Sequence, residues 1–242
     1  MTRLAGLRIL PRIMRQRKRP LRLNRSNIVG VVDSQEGLQI LQRMPEGLLD
    51  VVELRLDLLG HVPANDGLRA LSVPLLATVR HPDEGGAKGI GNADRLALYE
   101  GAMDVVQAVD VELASVRAMS RVIEGARRAG RKVVLSVHDF EQVPPAARVR
   151  RLLRRAVDAG ADVFKIAATP GKPSDIGVLL ELLDAPPIPV AVMGMGPFGK
   201  VSRLLLARCG SVLNYGWIDR PAVEGQWSAP ELRVRFDELG VR

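Results

Sequence analysis

From Ile28 onward, short runs dense in Val, Ile and Leu alternate with longer segments in which apolar residues recur at helical spacing. The first kind reads as buried strand and the second as amphipathic helix, and their steady alternation is the mark of βα units around a parallel sheet. Eight strand runs stand out, at 27–32, 51–59, 74–80, 108–113, 132–140, 161–167, 188–196 and 211–217. Helices are predicted between them, among others at 92–107, 116–129, 145–159 and 200–208. Gly130, Gly160 and Gly210 stand where three of these should end. Eight repeats predict one (β/α)8 TIM barrel running from 27 to 242. A doubly wound open sheet also uses βα units, but no G-x-G-x-x-G follows the first strand.

The second run, VVELRLDLL, carries Glu53, Arg55 and Asp57 at every other position. In a strand these share one face, with Val52, Leu54, Leu56 and Leu58 on the other. One face of a barrel strand meets the helices, so the charged face is expected to point inward. Charge there is most plausible at the C-terminal mouth, where sites of this fold lie. Seven of the eight strand ends repeat the pattern. Arg80 and Glu84 follow the third, Asp110 and Glu112 close the fourth, and Ser136, His138 and Asp139 close the fifth. Lys165 lies in the sixth, Arg203 follows the seventh, and Gln226 follows the eighth.

Composition refines this picture. With 47% hydrophobic and 26% charged residues, the chain has the make-up of a globular domain. No run approaches the roughly 18 apolar residues of a membrane span, and no leader pattern opens the chain, so a cytoplasmic address is expected. The single cysteine, Cys209, excludes an intrachain disulfide and a multi-cysteine metal site. The net charge of +8 is lodged at one end. Nine of the 35 Lys and Arg residues, and none of the 27 acids, fall within residues 1–26, so 26 basic residues face 27 acidic ones elsewhere. That arm is expected to be a disordered extension. It has no aromatic residue to stack on a base, which counts against nucleic acid as a partner.

The candidate chemistry centres on Lys165. Its strand neighbours Val163, Phe164, Ile166 and Ala167 are apolar, and desolvation lowers a lysine's pKa, which would free an amine to attack a ketone and form a Schiff base. His138 could move the proton that an iminium acidifies, oriented by Glu84 or Asp139. Metal binding by Asp110, Glu112, His138 and Asp139 is a weaker alternative, since one histidine is a thin ligand set. Arg55, Arg80 and Arg203 imply an anionic substrate, while Glu53 and Gln226 suit hydroxyls, so a small hydroxylated keto acid fits. The glycines of MGMGPFG leave open a phosphate cradle, hence a sugar-phosphate aldolase. An inactive barrel with a nucleic-acid-binding arm is the non-enzymatic alternative.

Taken together, ELRLD, R-x-x-x-E-G-G (Arg80 to Gly86), D-x-E-L (Asp110 to Leu113), S-x-H-D-F (Ser136 to Phe140), F-K-I-A, M-x-M-G with Ser202-Arg203, and Gly225-Gln226 make an ordered set. This set resembles the type I 3-dehydroquinate dehydratases. The resemblance implies a (β/α)8 barrel that dehydrates 3-dehydroquinate without metal or cofactor and is often a homodimer. It implies Lys165 as the Schiff-base lysine, His138 as general acid and base, and Glu84 as its orienting partner. Arg203 would bind the carboxylate, and Glu53, Arg55, Arg80 and Gln226 the ring hydroxyls. Met193, Met195 and Tyr215 would wall the ring, with Tyr215 where phenylalanine is more usual. Ala222 and Glu224 depart from the family's usual Ser and Pro in the loop after the eighth strand.

Overall fold

The computed structural model describes residues 18–241. Eight strands, β1 (Asn27–Val32), β2 (Val51–Arg55), β3 (Leu75–Thr78), β4 (Ala108–Glu112), β5 (Lys132–Asp139), β6 (Val163–Ala168), β7 (Val190–Gly194) and β8 (Leu213–Trp217), form one parallel sheet. Each pairs with its sequence neighbour, and β1 also pairs with β8, so the sheet curls into the predicted barrel. The remaining seam, between β7 and β8, is bridged differently. Val212 N–H donates to Val190 O at 3.0 Å, and the Ser211 hydroxyl accepts from Val192 N–H and donates to Val192 O.

Around the sheet lie α1 (Gln35–Leu41), α2 (Leu56–Leu59), α3 (Asn65–Ala70), α4 (Asn92–Ala102), α5 (Ser120–Arg128), α6 (Ala146–Asp158), α7 (Pro173–Leu180), α8 (Gly199–Arg208) and α9 (Ala229–Glu238). Outward residues such as Leu54, Phe164, Ile166 and Val192 join the helices in one apolar layer. Val29, Val51, Leu76, Val134, Val163 and Leu213 fill the barrel interior instead. The alternation read from the sequence is therefore the division between these two cores.

Several predicted strands run too far. The 51–59 run stops at Arg55, where the chain turns into the single-turn helix α2, closed by Gly60 in the left-handed region. Asp57 is thus not a strand residue; it folds back to accept two bonds from the Arg55 guanidinium. Likewise the 74–80 run ends at Thr78, because the next amide, Val79 N–H, donates to the Tyr99 hydroxyl instead of to a neighbouring strand.

Part of the basic arm is fastened down, contrary to the disorder expected through residue 26. Lys18 Nζ donates to Leu68 O and Leu71 O at 2.7 and 3.1 Å, satisfying carbonyls at the end of α3, and Arg19 N–H donates to Ser72 O. Leu21 and Leu23 then pack against the inner apolar core. Residues 1–17, the rest of that arm, lie outside the described residues.

Candidate active site

At the C-terminal mouth a cavity of about 390 Å³ brings together the residues to which the resemblance gave catalytic or substrate-binding roles: Glu53, Arg55, Arg80, Glu84, His138, Lys165, Met193, Met195, Arg203, Tyr215 and Gln226 all line it, whereas Asp57, Asp110, Glu112, Ser136, Asp139 and Glu224 do not. The lining residues named come from six of the eight strands or the loops that follow them, which only barrel closure makes neighbours.

Lys165 projects from the middle of β6 and is only 4% exposed. The apolar neighbours that suggested a greasy setting are divided by the pleat, with Phe164 and Ile166 facing the helices. On the inner side Nζ meets charge, a correction to the sequence expectation. It lies 2.8 Å from Asp110 Oδ2, 3.9 Å from Glu53 Oε1, and 4.1 Å from the centre of the Tyr215 ring. Register sets Glu112, Ser136 and Lys165 level across β4, β5 and β6, and the Lys165 side chain reaches Asp110, two residues earlier on the same inward face of β4.

Asp110 is a shared anchor. Besides Lys165 it holds Arg80 Nη2 at 3.0 Å and accepts from the Ser136 hydroxyl at 2.6 Å. Burial would raise its pKa, but Arg80 and then Lys165 hold the carboxyl below the ordinary carboxylate range. Arg80 also donates to Glu112 Oε1 and Ser136 Oγ. Burial would lower the guanidinium's pKa, yet Asp110 and Glu112 drive it well above its ordinary value. On its far side Glu112 accepts from Arg95, a fully buried side chain of α4 that also donates to Val79 O at 3.0 Å. Of the three acids considered as metal ligands, Asp110 and Glu112 are thus engaged by three cations, and buried charge is tolerated because each partner is matched.

His138, at the end of β5, offers Nδ1 to Glu84 Oε2 at 2.9 Å, and the same oxygen accepts from His138 backbone N–H at 2.9 Å. Of the two proposed partners Glu84 is therefore the one engaged. Asp139 accepts instead from the Glu141 and Gln142 amides. Glu84 ends a short 3-10 turn (Pro82–Glu84) closed by Gly85 with φ of 84°. The following Gly86 presses so closely on the segment just after β3 that a Cβ there would collide with the Arg80 carbonyl oxygen. Burial, with help from Glu112 and Asp110, raises the Glu84 carboxyl to about 7. Burial and the cations Arg80 and Lys165 push the His138 imidazole well below its ordinary 6.5. The ring is consequently neutral near pH 7, with Nε2 left as its free nitrogen.

The rest of the wall sets polarity and shape. Arg55 is braced by Asp57 at 3.0 and 2.9 Å and by Gly85 O at 3.1 Å. Thr78 Oγ1 donates to Glu53 at 2.7 Å. Arg203, from α8, donates through Nη1 to Tyr215 O at 3.1 Å, and burial lowers its pKa to about 10. Gln226 Oε1 accepts from Ala222 N–H, and Glu224 O accepts from Gly196 N–H at 3.1 Å. That last bond commits the glycine-rich stretch to packing against the loop after β8 and weakens its reading as a phosphate cradle. Three supporting residues escaped the sequence reading: Thr78, Arg95 and Asp33, the last lining the mouth just beyond β1.

Comparison with known proteins agrees with this geometry. Residues 28–241 match the family model described as type I 3-dehydroquinase. The chain is 31% identical over 215 residues to a 3-dehydroquinate dehydratase of Methanococcoides burtonii, covering 85% of this chain and 91% of the relative. It is 32% identical over 203 residues to one of Pyrococcus abyssi, covering 84% and 93%. Among solved structures, the type I 3-dehydroquinate dehydratase of Clostridium difficile with covalently modified comenic acid superposes with a TM-score of 0.78 at 28% identity, over 89% of this chain and 93% of that one.

Proposed function

The chain belongs to the type I 3-dehydroquinase family, and on that footing we propose that it dehydrates 3-dehydroquinate to 3-dehydroshikimate through a Schiff base on Lys165. The observation that carries this reading is a buried amine facing the same cavity as a neutral imidazole oriented by Glu84 and as three arginines. An amine held by a carboxylate, facing an acid–base pair across a cavity that three arginines also line, is arranged for carbonyl chemistry on an anion.

In the proposed sequence, Lys165 Nζ, once deprotonated, attacks the ring ketone carbon, and the carbinolamine loses water to give a protonated imine. The imine withdraws electrons and acidifies the neighbouring C2–H. His138 Nε2 removes that proton, the electron pair forms an enamine, and the C1 hydroxyl departs as water with the proton that His138 returns to it. Both transfers use one imidazole on one face, so the elimination is syn. Water then cleaves the imine, releasing the enone and restoring the amine. No metal or organic cofactor takes part in these steps. Arg203 binds the carboxylate, Glu53, Arg55, Arg80 and Gln226 hold ring hydroxyls, and Met193, Met195 and Tyr215 flank the ring.

The family resemblance further supports a place in aromatic amino acid biosynthesis through the shikimate pathway, a cytoplasmic address and a homodimer. Borohydride added with saturating 3-dehydroquinate should fix the reduced substrate's mass on Lys165, and Lys165→Ala should lose both the label and the absorbance of the conjugated product. Turnover by wild-type protein without any adduct would refute the covalent route.

A further inference from the structure

Four side-chain atoms sealed from solvent have no hydrogen-bond partner among the described residues: Asp33 Oδ1, Arg131 Nε, Arg203 Nε and Tyr215 OH. Three of these residues line the one mouth cavity. Native interiors rarely leave such atoms unmatched, and a cluster of them at a cavity marks places where a ligand completes the bonding. Arg203 and Tyr215 already have roles in the proposed dehydratase. Asp33 has none.

Asp33 follows the last residue of β1 and shares the inward face with Val31, which also lines the cavity. Val31 pairs in register with Glu53, so Asp33, two residues on, stands at the level of Arg55 on the neighbouring strand. Arg55 does not hold it, because that guanidinium is bound to Asp57 and Gly85 O. The position is built, not loose. Ser34, the next residue, donates to Asp219 Oδ2 at 2.6 Å and accepts from Gly37 N–H at 2.9 Å to cap α1. Burial, with Asp219 nearby, raises the Asp33 carboxyl above its ordinary value against the pull of Arg220 and Arg55. A carboxylate so placed repels an anion but lacks a donor.

We propose that Asp33 is a specificity-determining residue, accepting a hydrogen bond from a ring hydroxyl of the bound substrate at the β1–β2 rim beside Arg55. This rests on the dehydratase reading. It orients the ring with its carboxylate toward Arg203 and its hydroxyl edge toward β1 and β2.

Steady-state kinetics of wild type, Asp33→Ala and Asp33→Asn on 3-dehydroquinate and on its 4-deoxy and 5-deoxy analogues test the assignment. Asp33→Ala should raise KM for the parent by about 10- to 100-fold, the loss expected for a hydrogen bond to a charged acceptor, with kcat within about threefold. Asp33→Asn, whose amide oxygen still accepts, should fall between. One deoxy analogue should be handled alike by wild type and Asp33→Ala. An unchanged KM in both variants, or an equal penalty on every substrate, overturns the assignment. Absence of turnover by wild type would instead overturn the dehydratase reading on which it depends.

Discussion

The two ends of the barrel handle polar groups in opposite ways. At the N-terminal floor the buried side chains that tie the strand ends together are neutral and matched, and the one unpartnered atom found toward that end among the described residues, Arg131 Nε just before β5, belongs to a residue that lines neither the floor void nor the mouth cavity. Ser26 donates to Ala207 O and Ser211 O, Asn27 Nδ2 serves the carbonyls of Arg22, Arg25 and Val212, and Asn214 Nδ2 serves Asn27 O and Ser211 O. At the mouth many of the buried side chains are charged, among them Glu53, Arg80, Asp110, Glu112, Lys165 and Arg203, and Asp33, Arg203 and Tyr215 keep atoms without partners. Size does not distinguish the ends in the expected direction. The larger void, about 670 Å³, lies at the floor between Leu23, Pro187, Val212 and Val241, yet among the described residues no constellation of nucleophile and base faces it. Unmet bonding capacity on residues that line a cavity, rather than volume, separates a working end from a supporting one.

Three substitutions probe that contrast. The largest effect on turnover is expected from His138→Ala, which removes the proposed base and should lower kcat by about 10²- to 10⁴-fold with little change in melting temperature, read by the enone assay and calorimetry. In the wild type, the imidazole's depressed pKa means that the acid limb of kcat/KM should have its midpoint below pH 6.5, since activity requires the neutral ring. A midpoint above that value would contradict the assigned environment.

Glu84→Gln should act more mildly, lowering kcat about tenfold by loosening the imidazole's orientation. It also carries a signed pH signature. The Glu84 pKa is raised on folding from 4.5 to about 7, so its contribution to stability is fully present below 4.5 and is lost as pH rises through about 7. The melting temperature of Glu84→Gln should therefore gain on wild type between those limits and level off above. A gap that shrinks with rising pH would contradict this.

The smallest effect on turnover, none within error, is expected at the floor. Asn27→Ala leaves the carbonyls of Arg22 and Arg25 without the amide that serves them, while Val212 O keeps the backbone N–H of residue 27, and should cost about 1–3 kcal/mol of stability in a denaturant melt. If it slowed catalysis while leaving stability intact, the division between the two ends would be wrong.

Much of the mouth was legible because strand periodicity is local. Inward charges at Glu53, Arg55 and Lys165 announce themselves as breaks in apolar runs, and the strand order follows from the βα count. Pairings were not legible. That Lys165 meets Asp110, 55 residues away, depends on the stagger of three strands, which no single run encodes. Arg95 sits in NADRLALYEGA, a stretch that reads as a polar surface helix, and its burial is decided by Glu112 on a different element. The spacing of Arg95 and Tyr99, one helical turn apart and both fully buried, was the available signal. Asp57 misled because alternation alone does not reveal where a strand stops. Asp33 was passed over because it follows the one strand end, that of β1, at which the sequence reading placed no polar group.

Asp110 touches both Arg80 and Lys165. An iminium on that nitrogen bears the same single positive charge as the ammonium it replaces, so the anion beneath faces an unchanged electrostatic load before and after substrate is captured. Such a floor has no need to rearrange as the covalent bond forms; its dipoles are set in advance, and the motion required for turnover is left to the substrate and the loop above it.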